Sequence, residues 1–270
     1  MAAASASSNK AKIARRVIEV LDYFDDDHRE ATVMDIVRRY NRPQSSTSEL
    51  LSSLVELGLL HKDPYSRSYS LSPRAALLGT AGQSEVIRDG RINRLIDRLV
   101  AQTGLSVALF AMVGQNAQIA HWRAGPRASA TATDGLYGGM QTPLNQAAAG
   151  QLLLSTIEQP RREGMIRRLN AEAADEHKFS FAEMVSRVQD CGDQGHACGP
   201  VGFGSRAQVL ALLIPGQPSD HPLAVGFVHA ADDKVSAENL LHCLTEAVQQ
   251  CLGQEAREMS GTVQRFPNAA

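Results

Sequence analysis

At 270 residues, with 43% hydrophobic and 21% charged residues, the chain has an ordinary globular composition and room for two domains with cores of their own. That excludes disordered and fibrous classes, and the longest apolar runs, such as 105 to 113, are far too short to span a membrane. The 27 basic and 29 acidic residues nearly cancel, so net charge points to no partner. The N-terminal MAAASASSNKAK has no apolar leader core, so a cytoplasmic location is expected, with Cys191, Cys198, Cys243 and Cys251 kept as thiols.

Residues 1–9 read as a disordered tail. The spacing of Ile13, Val17, Val20, Leu21 and Phe24 predicts a helix over 12–24, ended by the acidic run Asp25-Asp26-Asp27. Thr32 followed by Asp35 opens a second helix as a capping box, with Val33, Ile36, Val37 and Tyr40 on its apolar side. Asn41-Arg42-Pro43 breaks it. A third helix begins at Ser46, again read as a capping box with Glu49, and buries Leu50, Leu51, Leu54 and Leu57 before Gly58 ends it. Two short strands, 59–62 and 68–71, flank a turn at Asp63-Pro64-Tyr65-Ser66.

Three helices and a basic hairpin over 10–74 make a winged helix-turn-helix. One hydroxyl caps a helix, so the surplus in Gln44, Ser45, Ser46, Thr47 and Ser48 asks for a partner outside the chain. Double-stranded DNA fits: the third helix would enter the major groove, Arg42, Lys62 and Arg67 would meet phosphates, and Tyr69 is grouped with them. Solvated serines beyond a single cap are the simpler alternative. Residues 75–103 read as a linker whose helix, from Glu85 to Gln102, carries the stripe Ile92, Leu95, Ile96 and Leu99.

From 104 to 259 the pattern is mixed. Strands 105–113 and 117–123 meet at Gly114-Gln115-Asn116, helices start near Ala147, Pro160 and Ser180, strands cover 208–214 and 223–228, and a closing helix runs from Ser236 to about Met259. Residues 260–270 are a tail. The fold class is α+β: a winged helix, a linker helix, and an antiparallel sheet with flanking helices.

Two separate segments carry a family resemblance. The stretch Ala14 to Leu21, the runs Pro43-Gln44-Ser45-Ser46-Thr47 and Leu50-Leu51-Ser52-Ser53-Leu54, then Gly58-Leu59-Leu60 and Tyr69-Ser70-Leu71 resemble the winged helix of the IclR family of bacterial transcription regulators. Thr142 to Leu154 is similar to that family's effector-domain motif, with Asn145 where the family usually has His and Gln151 where it usually has Lys. The family's acidic segment is replaced by Gly192-Asp193-Gln194-Gly195-His196-Ala197-Cys198-Gly199-Pro200. The resemblance implies a linker helix that pairs protomers into a dimer or tetramer on a palindromic operator, and a GAF-like effector domain. It also implies a ligand held between the sheet and the helix starting at Ala147, among Leu136, Tyr137, Met140, Thr142, Ala148, Ala149, Phe227 and His229. A helix N-terminus suits a carboxylate and aromatic walls suit a ring, so an aromatic carboxylate is the expected effector, and catabolic genes for such an acid the expected target.

No cofactor is expected. The Cys191, His196, Cys198 cluster has no paired CxxC spacing and no evident fourth ligand, so no metal is assigned. The glycines of 199–204 lack a phosphate loop's lysine, and no Gly-x-Ser-x-Gly elbow occurs, so no catalytic residue is named. A protein-interaction winged helix and an enzyme of unknown type acting on a small molecule are the alternatives.

Overall fold

The computed structural model describes residues 4–25, 28–79, 84–127, 130–218 and 220–253. The chain divides into two compact units between residues 83 and 84.

The first unit holds helices α1 (Ala4–Tyr23), α2 (Val33–Tyr40) and α3 (Gln44–Glu56), the hairpin β1 (Leu60–Lys62) and β2 (Tyr69–Leu71), and a short α4 (Pro73–Leu77). Helix α1 begins at Ala4, inside the stretch expected as a tail. The capping box at Thr32 forms as read: the Thr32 side chain accepts from the Asp35 amide, and the Asp35 carboxylate accepts from the Thr32 N–H. Asn41 then takes a left-handed conformation (φ 49, ψ 53), which an Asn tolerates better than most residues and which turns the chain into α3. Val20, Ile36, Leu51, Leu54, Leu60 and Tyr69 form the buried core. Two expected core positions, Ile13 and Leu57, are exposed. Ile13 is exposed two turns before Val20, and Leu57, 63% exposed, comes after the last turn of α3, where Gly58 (φ 72) redirects the chain.

The second unit is built on a six-stranded antiparallel sheet of order β5-β4-β3-β8-β7-β6. Its strands are β3 (Ser106–Val113), β4 (Asn116–Arg123), β5 (Gln141–Pro143), β6 (His196–Pro200), β7 (Gln208–Leu213) and β8 (Leu223–His229). Strands β3, β7 and β8 alternate cleanly, while β4 skips a residue where it passes Leu109 and Phe110. Ala108, Phe110, Val209, Ala211, Ala224 and Val228 face one way, against α8 (Ala148–Ser155), α9 (Arg161–Glu172) and α10 (Phe181–Gln194). Val107, Leu109, Leu210, Val225 and Phe227 face the other, against α6 (Arg91–Thr103) and α11 (Ala237–Leu252). The edge strands β5 and β6 were not foreseen, and β6 takes up His196 and Cys198 of the Cys191, His196, Cys198 cluster.

The expected single linker helix is interrupted. A short α5 (Glu85–Arg88) stops at Asp89 and Gly90, with Gly90 left-handed at φ 75, and α6 starts afresh at Arg91. The stripe Ile92, Leu95, Ile96 and Leu99 is fully buried in the second unit's own core, so it does not serve as the face that pairs protomers. Burying each such side chain contributes about 1.5–3 kcal/mol, so exposing all four would cost on the order of a domain's whole net stability. The expected closing helix is described to Leu252, and its stretch beyond residue 253, with the expected 260–270 tail, lies outside the described residues. Among the described residues, no helix is long and apolar enough to cross a membrane.

Candidate functional site

Helix α3 starts differently from the reading of its sequence. Pro43 is the N-cap and supplies no side-chain hydrogen bond, so Ser46 is not a capping box with Glu49. Instead the Pro43 carbonyl collects donors from within the first turn: the Ser46 hydroxyl at 3.2 Å, the Thr47 hydroxyl at 2.9 Å and the Thr47 amide at 3.1 Å. Ser46 also accepts from the Arg16 guanidinium on α1 at 3.1 Å. Thr47 is 1% exposed, with its hydroxyl already used, so it cannot read a base.

The surplus that remains is Gln44, Ser45 and Ser48, none of which has a side-chain partner among the described residues. Ser45, Ser48, Glu49 and Ser52 recur at spacings of three and four, so they form one outward stripe opposite Leu51 and Leu54. Glu49 and Ser52 thus join the face. The stripe could have been found by extending the helical period from Ser45 instead of stopping at the first turn. With the cap assigned to Pro43, Glu49 is free to accept a hydrogen bond from a cytosine amino group.

The expected basic residues divide. Lys62 and Arg67 are exposed on the hairpin. Arg42 is partly withdrawn, because its guanidinium pairs with Glu19 of α1 at 2.8 Å. Tyr69, 2% exposed, is core and not contact surface; Lys62 Nζ sits 5.4 Å from its ring centroid, so the buried ring helps hold the exposed cation. At the hairpin tip the Asp63 carboxylate accepts from the Tyr65 amide at 2.7 Å, and this bond is the main cause holding its pKa below the usual value. The turn so fixed projects Tyr65, 95% exposed, which the sequence reading passed over.

In the second unit, the start of α8 brings together five of the expected ligand residues. Ala148 and Ala149 form its first turn, and Leu136, Met140 and Thr142 belong to the apolar side of the sheet that α8 covers or pack at its margin. Gly150 has no room for a side chain, because a Cβ there would run into the Leu144 carbonyl of the preceding 3-10 turn Leu144–Gln146. The other three separate. Phe227 faces α6 and α11 across the sheet, since its neighbour Val228 is the residue that faces α8. His229, two residues on, shares the side of Phe227, and its Nδ1 lies 2.8 Å from the Ala230 carbonyl. Tyr137 is 58% exposed and packs into neither cluster.

Phe203 and Phe110, both unforeseen, belong to the same apolar cluster as the α8 start: their rings stack with centroids 6.3 Å apart. On the other side of the 3-10 turn, a cleft of about 210 Å³ is lined by Gln115, Asn145, Gln146, Leu169 and Glu172, among others. Asn145 and Gln151 interact through the chain: Gln151 Nε2 donates to the Asn145 carbonyl at 3.0 Å, while Asn145 Oδ1 is buried with no hydrogen-bond partner among the described residues.

The cysteine cluster does not assemble. Cys191 packs on α10 against the apolar core, where burial pushes its thiol pKa up, Cys198 is exposed on β6, and His196 lies against the Gln194 carbonyl. Among the described residues no group of three or more His, Cys, Asp or Glu side chains is placed to hold a metal ion.

Residues 14–64 match the IclR helix-turn-helix domain. No curated protein matches the chain. Solved structures do. An IclR homologue from Microbacterium hydrocarbonoxydans, in complex with 4-hydroxybenzoate, superimposes with a TM-score of 0.57 at 17% identity, covering 91% of this chain and 99% of its own. An IclR transcriptional regulator from Alicyclobacillus acidocaldarius gives 0.56 at 18% identity, covering 90% and 97%. The effector domain of an IclR regulator from Acinetobacter sp. ADP1 gives 0.53 at 20% identity, covering 63% of this chain and 98% of its own. Residues 14–64 thus form an IclR helix-turn-helix domain, carried by a chain that has the fold of the IclR-family transcription regulators.

Proposed function

We propose that this chain is a ligand-responsive, sequence-specific regulator of transcription, acting as a dimer or tetramer on a palindromic operator beside catabolic genes. The observation that carries this reading is the outward polar stripe of α3, beginning at Ser45, on a helix whose opposite side is fully committed to the core. Short donors and acceptors at the start of such a helix match base edges in the major groove. Lys62 and Arg67 supply phosphate contacts from the hairpin, and Arg42 does so only after leaving Glu19. Two half-sites about 34 Å apart require at least two copies, and their interface lies elsewhere than on the buried α6 stripe.

The effector is an aromatic carboxylate. The first amides of α8 leave donors for a carboxylate, and Phe110 with Leu136 and Met140 offers apolar walls for a ring. The 4-hydroxybenzoate bound to the Microbacterium homologue supports the same class of ligand. For the effector to regulate, it must bind one DNA-binding state more tightly than the other.

The test is selection of duplex DNA by the full chain, followed by anisotropy titration at several salt concentrations with and without 4-hydroxybenzoate. A palindromic consensus and an affinity shifted by the acid are expected. Binding with no sequence preference at moderate salt would end the DNA-reading assignment, and a neutral aromatic or sugar acting where acids do not would end the carboxylate assignment.

A further inference from the structure

The glycine-flanked Phe203, set aside above as no part of a phosphate loop, has a backbone that asks for explanation. Gly202, Phe203 and Gly204 take φ of 83, 56 and 73, three successive left-handed residues. Glycine adopts that region freely, but a bulky aromatic residue there is disfavoured and persists only when its surroundings hold it. What holds it is the ring: Phe203 is 9% exposed and stacked on Phe110.

The ring's location is telling. The turn lies directly on the start of α8: a Cβ added to Gly202 would come within 3.0 Å of the Ala147 Cβ, 3.1 Å of the Gln146 carbonyl and 3.2 Å of the Thr142 methyl. Phe203 therefore shares one apolar cluster with Leu136, Ala148 and Ala149, the residues gathered where a ring was expected to bind.

The turn is held mainly by packing, with Val201 and Ala207 fully buried at its two ends, and by few hydrogen bonds. It joins β6 to β7 and is closed by the Val201 amide on the Ala207 carbonyl at 3.0 Å, outside the β6–β7 ladder that ends at the Pro200–Gln208 pair. Beyond that it is secured by Ser205, whose amide donates to the Gly202 carbonyl at 3.0 Å and whose hydroxyl donates to the Ala132 carbonyl at 2.7 Å and accepts from the Ala207 amide at 3.1 Å. Swinging the turn out would leave the sheet's hydrogen bonds intact.

We propose that Phe203 is a built-in occupant of the effector site: its ring holds the place that an aromatic effector's ring takes, and effector binding expels it by moving the 201–206 turn. This rests on the reading of the second unit as an effector domain. A left-handed Phe buried on a glycine-hinged turn is a competitor with stored strain, so the ligand need supply only part of the free energy of displacement.

The experiment compares full-length wild type, Phe203→Ala and Phe203→Leu for binding of 4-hydroxybenzoate and of benzyl alcohol, a ring without a carboxylate. Calorimetry and the fluorescence of Trp122, the chain's single tryptophan, which packs on the same cluster, give two readouts. Removing the competitor should raise affinity for both probes, about tenfold or more for Phe203→Ala, with Phe203→Leu between it and wild type. A folded Phe203→Ala with unchanged or weaker affinity for both overturns the proposal; if that variant does not fold, the same result in Phe203→Leu does so. The effector reading fails separately, when no acid alters operator affinity of any of the three proteins while benzyl alcohol still binds the variants more tightly.

Discussion

Helices α3 and α6 are each 13 residues long, and each carried the expectation of a partner outside the chain, α3 from its surplus hydroxyls and α6 only from the family resemblance, with packing on its own domain as the alternative for the α6 stripe. Only α3 keeps that expectation. Its outward serines have no side-chain hydrogen-bond partner among the described residues, whereas the α6 stripe is consumed by β3, β8 and α11 of the same unit. The difference is physical. Apolar surface is satisfied by any neighbouring apolar surface, so the nearest one takes it. A hydrogen-bonding group needs a partner of matching kind and direction, and one that remains exposed keeps its capacity for a partner.

The comparison breaks first at Leu95. Leu95→Ala should lower the stability of the second unit by about 2–5 kcal/mol, with an unfolding midpoint that does not depend on protein concentration. A loss that vanished at high concentration would return the stripe to an interface between copies. On α3, Thr47→Val should cost about 1 kcal/mol by removing the bond to the Pro43 carbonyl, while base preference in a selection stays as in wild type. Ser48→Ala should do the opposite, leaving stability within about 0.5 kcal/mol and changing discrimination at one base position by about 1 kcal/mol. If both variants altered base preference alike, the buried and exposed sides of α3 would not be distinct in function. Lys62→Ala should weaken binding to all sequences equally and lower the salt slope by about one.

A last effect concerns the support behind α3. The hydroxyl and amide of Thr32 hold the Asp35 carboxyl below its usual pKa. Its stabilising effect is therefore present above the unfolded value, near 3.9, and is lost as pH falls through the lower folded value. Both groups lie near the surface, so Thr32→Ala should cost only about 1 kcal/mol at neutral pH, and the difference between variant and wild type should shrink in acid denaturation below about pH 4.

Where sequence and structure agree, local chemistry is decisive. The Thr32-Asp35 box, the helix break at Asn41-Arg42-Pro43 and the β3–β4 turn at Gly114 each need only neighbours a few residues away. The failures share another character. Phe227 was assigned to the ligand side, yet strand parity gives that side to Val228, and an error of one residue exchanges the faces of a sheet. Strand β6, with Gly199 and Pro200 in five residues, has no apolar alternation to announce it. The inward role of Phe203 depends on a turn docking against α8, more than fifty residues earlier in the chain, and nothing local encodes that meeting. Tyr69 was grouped with the DNA contacts because of its place on a basic hairpin, but its ring is needed inside.

The two open margins of the second unit's sheet have a consequence for how copies of this chain can associate. The strands there are three and five residues long, and each terminates in a proline, Pro143 on β5 and Pro200 on β6. A proline has no amide hydrogen to offer an incoming strand, and so short a margin gives little length over which to zip. Strand-to-strand addition, the route by which sheets run on into fibres, is thus discouraged at both ends of this one. Any association of the unit with a copy of itself would fall to its helices and loops, where a contact can be made and released without unravelling the sheet.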